Sequence, residues 1–307
     1  DAVVNRTIEL WGNIPRMLLT DSNSSLIQEV KKITDVKDFD DKVRSVYDED
    51  FDLPSKVVHL VPSPTYNSVK AQICSEYAKV LISRSMMNRD RDMAFKAAFR
   101  EEDDQVLSNW VLFEFLSHLI LRKGGKRKVR RLGEEQDQSH VTETEMMRSE
   151  YVEFCGGPES LNRRLLERTY YKPSSKTFPC VDALMLSETP GELYLFQITR
   201  AKQHSVSFTP LYDILANITV LNNVSKANLI FVLQDIRENT TSWQHEQTLS
   251  IKRELNKQRG SLVGLGIELF QSVMILSEGD ARQAVGGLEF SLEGLILPAT
   301  ESHQSFS

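Results

Sequence analysis

At 307 residues, with 40% hydrophobic and 26% charged residues, the chain has an ordinary globular composition and enough length for two domains. It contains no run of about 18 apolar residues, which argues against a membrane-spanning helix. A net charge of −6 argues against a surface that binds nucleic acid everywhere, but it is compatible with a local basic patch. Three scattered cysteines give no disulfide framework and favour a reducing compartment, and no CxxC or HxxxH spacing indicates zinc.

Residues 1–102 are predicted to form a helical region. SLIQEVKKI (25–33) and SVKAQICSEYAKVLI (68–82) both show helical periodicity, and VVHLVP (57–62) is a candidate strand. No GxxxxGK[ST] motif occurs anywhere, so the chain carries no phosphate-binding loop of that type. The first residues, DAVVNRT, contain neither Met nor a signal-peptide pattern, and we interpret the chain as a piece of a longer protein.

Residues 103–295 are predicted to form an α/β domain, a mixed sheet with flanking helices, and residues 296–307 a disordered tail. The helix at 101–123 carries an apolar stripe, places Glu114 and His118 on one face, and ends at Gly124-Gly125. The remaining elements are predicted, in chain order, as a basic strand (126–132), an insertion or long loop (133–157), a short helix (160–171), two strands (181–186 and 192–199), a helix (210–224), a strand (227–234), a polar helix (243–260) and a last strand (266–276).

The stretch FPCVDALMLSETPGELYLFQITRAKQH (178–204) carries the most unusual pattern. Two apolar strands are separated by Pro190-Gly191 turn chemistry, yet one strand contains Asp182 and the other Gln197. Burying such polar groups costs about 1–3 kcal/mol each unless they find partners. Departures of this kind concentrate at functional sites, so we predict that the site lies here.

The order of Glu114 on a helix, Asp182 on one strand and Gln197 on the next resembles the restriction-endonuclease-like, PD-(D/E)xK fold. That resemblance implies hydrolysis of DNA phosphodiester bonds, with Mg²⁺ or Mn²⁺ held by Glu114, Asp182 and Gln197. The family places a Lys two residues after the Gln position, where this chain has Thr199. Thr supplies no cation, so Lys202, Arg200 or His204 are candidates to replace it.

Three segments together are similar to the crinkler and retrotransposon-hot-spot family of eukaryotic proteins. They are WVLFEFLSHLILRKGG (110–125), YYKPSSKTFPCVDALML (170–186) and LYLFQITRAKQHSV (193–206). WGNIPRMLL (11–19) also resembles a Gly-x-x-Pro-Arg segment near the end of that family's ATPase module. The resemblance implies an effector secreted by a pathogen or symbiont that acts in a host nucleus, or a nuclear protein of its own cell. It also implies that an ATPase portion precedes this chain.

Each candidate residue has a plainer interpretation. Glu114 is equally compatible with a solvated or capping carboxylate, and His118 with a side chain that orients Glu114 or caps the helix end. Gln197 can simply satisfy a neighbouring strand. A catalytically inactive module that binds DNA or a host protein is therefore the alternative to a nuclease, and the Thr199 substitution favours it.

A basic run follows the Glu114 helix and places seven cations in ten residues: Arg122, Lys123, Lys126, Arg127, Lys128, Arg130 and Arg131. Strand alternation allows about half of them to face one ligand, and we predict that Lys126, Lys128 and Arg130 contact DNA phosphates. A solvated surface and a nuclear import signal are the other interpretations.

Overall fold

The computed structural model describes residues 23–33, 35–45, 57–62, 69–100, 106–133, 141–154, 156–174, 178–201, 203–236, 243, 249–250 and 264–290. The chain divides into two compact units. One comprises Asp1–Ala94 and Gly287–Ser307, and the other is Phe95–Gly286. The predicted WGNIPRMLL segment, Lys202, most of the predicted polar helix at 243–260 and the predicted tail lie outside the described residues.

The first unit combines helices with a small antiparallel β-ribbon. Its elements are α1 (Asn23–Lys31), α2 (Val36–Ser45), β1 (Val58–Pro62), β2 (Val69–Ile73) and α3 (Glu76–Arg89), and α4 (Arg91–Ala98) runs across the boundary between the units. The prediction of one helix over 68–82 was wrong for its first half, since Ala71 and Ile73 are buried and the intervening Gln72 is exposed, as in a strand. The helix begins only after Ser75, whose side chain accepts a hydrogen bond from the Ala78 N–H at 3.0 Å.

The second unit contains most of the strands. Its helices are α5 (Leu107–Lys123), α6 (Phe208–Asn222) and α7 (Glu278–Val285). Its strands are β3 (Gly125–Arg131), β4 (Val141–Met146), β5 (Glu150–Phe154), β6 (Thr169–Pro173), β7 (Ala183–Leu186), β8 (Glu192–Ile198), β9 (Val206–Ser207), β10 (Lys226–Gln234), β11 (Leu249–Ser250) and β12 (Glu268–Leu276).

Eight of these strands form one mixed sheet in the order β4-β3-β12-β10-β8-β7-β6-β5. The central strands β8, β10 and β12 run parallel to one another, and β6, β7 and β8 form an antiparallel series. Helix α6 connects β8 to the parallel strand β10, which is the predicted crossover. The prediction of an α/β mixed sheet with flanking helices is confirmed at this level.

The two faces of the sheet are covered by different helices. Side chains of alternate strand residues, such as Tyr171, Leu184 and Leu195, join the apolar side of α6 in one large buried cluster. We call this side the α6 face. The opposite side, which includes Tyr170 and Phe196, packs under α5, and we call it the α5 face.

Two predictions between α5 and β7 were wrong. The segment 133–157 is not a long loop, since it contains β4 and β5, the two edge strands of the sheet. Charged residues in these strands fit positions that face solvent, as the exposure of Glu143, Glu145 and Glu150 indicates. The segment 160–171 is not an α-helix either, because only a 3-10 turn (Pro158–Leu161) forms there and β6 begins at Thr169.

Candidate functional site

Asp182 and Gln197 lie together at the end of the β7–β8 hairpin. The Gln197 side chain donates from Nε2 to Asp182 Oδ2 at 2.8 Å, and the Ile198 backbone N–H donates to the same oxygen at 2.6 Å. The carboxylate thus replaces a backbone carbonyl as the partner of a strand N–H. Asp182 and Gln197 are both partly buried, and they are hydrogen-bonded to each other. This bond offsets the free-energy cost of placing polar groups in apolar strands.

The backbone around Asp182 departs from a regular ladder. Ala183 pairs with Phe196 in register, and the Asp182 N–H also donates to Phe196 O at 2.7 Å. Two consecutive residues therefore lie opposite one, which is the arrangement of a β-bulge. Immediately before it, Cys180 has φ of 69° and lies at the centre of a three-residue turn closed by Val181 N–H to Pro179 O at 2.9 Å. This strained entry aims the Asp182 carboxylate at Gln197.

The strain at Cys180 predicts an unusual order of stabilities. Both Cys180→Ala and Cys180→Gly lose the 3.1 Å contact of the thiol with Ser207 O, but only glycine adopts a positive φ without penalty. We expect Cys180→Gly to be about 1 kcal/mol more stable than Cys180→Ala. Urea unfolding of both variants measures this difference, and equal stabilities would mean that the turn at residue 180 is not strained.

Glu114 and His118 are held by α5, which packs on the α5 face of the sheet. Both are buried, with 7% and 8% of their surfaces exposed, although the helix positions alone would also fit solvated residues. His118 Nδ1 lies 2.7 Å from the hydroxyl of Tyr170 on β6, and the two rings meet edge to face. This contact holds the His118 ring against β6.

Tyr170 lies within electrostatic range of both Glu114 on α5 and Asp182 at the β7–β8 hairpin. It is fully buried, and burial raises its pKa well above the ordinary value of about 10. The negative charges of Asp182 and Glu114 raise this pKa further, while Arg122 opposes them. Two carboxylates that are far apart in sequence therefore lie within electrostatic range of one phenol.

This shift predicts how folding stability depends on pH. Above about pH 10 the unfolded chain loses the Tyr170 proton while the folded protein keeps it, so stability is full below that pH and falls as the pH rises. The expected slope is at most about 1.4 kcal/mol per pH unit for one group. Urea unfolding between pH 9 and 11 should show the decline, and Tyr170→Phe should reduce its slope.

Tyr194 provides a comparison for this experiment, because burial also raises its pKa. Tyr194→Phe should remove a separate part of the slope, since its hydroxyl contacts Ser187 whereas that of Tyr170 contacts His118. A slope unchanged by Tyr170→Phe would contradict the assignment of Tyr170 to the interior of the site.

The described candidates to replace the missing Lys, Arg200 and His204, contact other groups. Thr199 is buried and accepts a hydrogen bond from the Ala201 N–H at 3.1 Å. Arg200 Nε donates to Gln234 Oε1 at 2.8 Å and its guanidinium also reaches Arg100 O, so it holds two chain segments together. His204 Nδ1 lies 3.0 Å from Ser205 O and its ring lies 6.3 Å from that of Phe231.

The basic strand separates as alternation predicts, with Lys126, Lys128 and Arg130 on one face. Lys126 and Lys128 are exposed, but they lie opposite Glu145 and Glu143 of β4. Arg130 donates to Trp243 O at 2.6 Å, and burial lowers its pKa. The glutamates of β4 therefore partly offset the positive charge of this face. The sequence did not reveal this compensation, because β4 was predicted as part of a loop.

Two polar residues of β6 were missed entirely. Tyr170 fell at the end of the segment predicted as a helix (160–171) and Lys172 directly after it, yet every residue of β6 is buried. A lysine at 7% exposure is rare in a protein. The sequence YYKP does not reveal that Lys172 is buried. Both tyrosines and Pro173 are buried too, because β6 contributes side chains to both faces of the sheet.

The oxygen donors available here fit Mg²⁺ in chemical type. They are the carboxylates of Glu114 and Asp182 and the amide oxygen of Gln197, whose nitrogen already donates to Asp182. Within the described ranges, no group of three or more His, Cys, Asp or Glu side chains is close enough to hold a metal ion. An ion here would therefore depend on the Gln197 oxygen, a substrate oxygen or water for further ligands.

No helix in the described part of the chain is both long and apolar enough to cross a membrane. Comparison with protein-family models, curated proteins and solved structures gave no match.

Proposed function

We propose that residues 103–295 form a restriction-endonuclease-like domain that hydrolyses phosphodiester bonds in DNA with the help of Mg²⁺ or Mn²⁺. The observation that carries the proposal is the convergence of Glu114 and Asp182 on Tyr170, which puts the helix carboxylate and the strand carboxylate within electrostatic range of one group. Carboxylate oxygens are the ligands that a hard divalent cation prefers. Gln197, bonded directly to Asp182, completes the predicted set.

In this reaction a water oxygen bonds to phosphorus, the bond from phosphorus to the leaving sugar oxygen breaks, and a proton from the water ends on that sugar oxygen. A divalent cation, when bound, neutralises the charge that develops on the phosphate. Glu114, Asp182 and the Gln197 oxygen would hold it. The Ile198 N–H and the Gln197 amide keep Asp182 in one orientation, and the Tyr170 hydroxyl does the same for His118.

A second function is favoured by a specific observation. Thr199 is buried with its hydroxyl accepting from a backbone N–H, so the position that carries Lys in the resembling family supplies no charge. A nuclease-fold module that binds DNA or a host nuclear protein, without cleaving, is consistent with this geometry. The effector role and action in a host nucleus rest on the sequence resemblance alone.

Cleavage of plasmid and oligonucleotide DNA by the purified chain, in Mg²⁺, Mn²⁺ or EDTA, distinguishes these functions. Metal-dependent cleavage supports the nuclease. A retarded DNA band without cleavage in any metal supports the binding module, and its affinity should fall steeply with salt. A protein that neither cleaves nor retards DNA would contradict both DNA functions and leave a protein partner.

A further inference from the structure

Lys172 is a buried charge that the site described so far does not use. It is the lysine that is buried among the described residues, and it shares the α5 face with Tyr170 because the two are separated by one position on β6. Burying an ammonium group is costly unless nearby negative charges compensate it. Its surroundings should therefore contain carboxylates.

The order of contacts along α5 places Glu114 beside Lys172. The carbonyl of Arg122, near the end of α5, accepts from Ser149 N–H, just before the start of β5, and β5 begins level with β6. His118, one turn earlier in α5, contacts Tyr170. Helix and strand thus run in opposite directions, and four helix residues advance about 6 Å while two strand residues advance about 6.6 Å. Glu114 and Lys172 are the next pair in this series.

Sheet register places Asp182 next to Lys172 on the other side. β6 and β7 are antiparallel with Tyr171 opposite Leu184, so Lys172 lies opposite Ala183, the residue that follows Asp182 in the bulge. Neighbouring strands are about 4.8 Å apart. Lys172 is therefore positioned between the two carboxylates of the proposed site, Glu114 from above and Asp182 from the adjacent strand.

We propose that Lys172 is the cation of this site and contacts a non-bridging phosphate oxygen of bound DNA, the charge that Thr199 cannot supply. This inference rests on the proposed function, since it assumes a phosphodiester ligand at Asp182. In this proposal Lys202, Arg200 and His204 do not replace the Lys of the resembling family. Lys binds phosphate as a point charge. Lys172 lies near the end of β6, beside the half-buried carboxylate of Asp182, and this position suits such a contact.

The test is equilibrium binding of a labelled DNA duplex in EDTA over a range of salt concentrations, with cleavage in Mg²⁺ measured in parallel. The proteins are the unaltered chain, Lys172→Met, Lys172→Arg and Lys226→Met. Methionine keeps the length and apolar stem of lysine, and arginine keeps the charge. Lys226 is an exposed lysine at the start of β10, at the opposite end of the sheet from Asp182, and serves as the control.

We expect Lys172→Met to weaken binding roughly tenfold or more and to reduce the slope of log K against log salt by about one. Lys172→Arg should keep the slope and most of the affinity, and Lys226→Met should match the unaltered chain. A merely structural lysine would change the fraction of folded protein, but not the salt slope of the molecules that bind.

Unchanged affinity and slope in Lys172→Met would overturn the assignment, and so would equal losses in Lys172→Met and Lys172→Arg at an unchanged slope. If the unaltered chain binds DNA but cleaves none, the nuclease proposal fails while the Lys172 assignment is still decided by binding. If it neither binds nor cleaves DNA, both are overturned.

Discussion

Asp182→Ala is expected to reduce metal-dependent DNA cleavage by about 10³-fold or more while leaving a folded protein. The carboxylate is the member of the proposed site best fixed by its neighbours, through Gln197 Nε2 and the Ile198 N–H. Loss of a carboxylate that holds a metal and orients the phosphate removes several kcal/mol of transition-state stabilisation, and each 1.36 kcal/mol is a factor of ten in rate. Single-turnover cleavage in Mg²⁺ measures the effect directly.

The same substitution has a separate cost in folding. Two N–H donors lose their acceptor, which should lower the free energy of unfolding by about 1–3 kcal/mol. Circular dichroism and urea unfolding establish whether the fold is retained. Asp213→Ala removes an exposed aspartate of α6 and is the matched control. Full activity of Asp182→Ala, with normal activity of the control, would refute the proposed site even if the chain is a nuclease.

Gly124→Ala is expected to destabilise the protein by about 3–5 kcal/mol. Gly124 has φ of 73° and ψ of −151°, a conformation that is essentially restricted to glycine. A β-carbon at this position would lie 2.6 Å from Met147 C and 2.7 Å from Arg148 N, and would also clash with Met146 O. Because these are backbone atoms, no side-chain rotation relieves the overlap. The strain of a positive φ at alanine adds to the cost of this overpacking.

The adjacent Gly125 supplies the control. Its φ of 99° is also unfavourable for alanine, but a β-carbon there would approach only the end of the Arg127 side chain, at 3.7 Å. Gly125→Ala should therefore cost about 1–2 kcal/mol, the penalty of a positive φ alone. Thermal or urea unfolding of the two variants separates the terms. Equal losses would mean that the approach of the 146–148 segment to α5 is looser than described.

Local sequence signals identified the elements whose pattern is self-contained. The β7–β8 hairpin, α5, α6 and β10 each have a full apolar pattern with Gly, Pro or cap residues at their ends, and each forms close to where it was predicted. The edge strands β4 and β5 were missed because most of their residues face solvent, and the alternating Thr and Glu of β4 (VTETEM) do not distinguish it from a polar loop. Only the register with β3 and β6 makes them strands.

The site was predictable to a similar extent. Asp182 and Gln197 stand out because each interrupts an apolar run, and the structure bonds them to one another. Tyr170 and Lys172 do not stand out, since YYKP reads equally well as the end of a short helix. Their role depends on the position of β6 between β5 and β7, beneath α5. This arrangement brings together segments that are distant in sequence, so no short stretch of sequence predicts it.

The pairing of β3 with β12 has a consequence for synthesis on the ribosome. β3 contacts β4 as soon as the hairpin emerges, but its other neighbour in the sheet, through Arg131 and Ser272, is made much later. At roughly 5–20 residues per second, the delay is on the order of ten seconds. During that interval β3 is an open edge while the other six strands of the sheet still have to be arranged, and the nascent protein is accessible to wrong pairings and to chaperones. The half of the sheet built on the β8–α6–β10 crossover must therefore close without its outer hairpin, which joins it only when β12 leaves the ribosome.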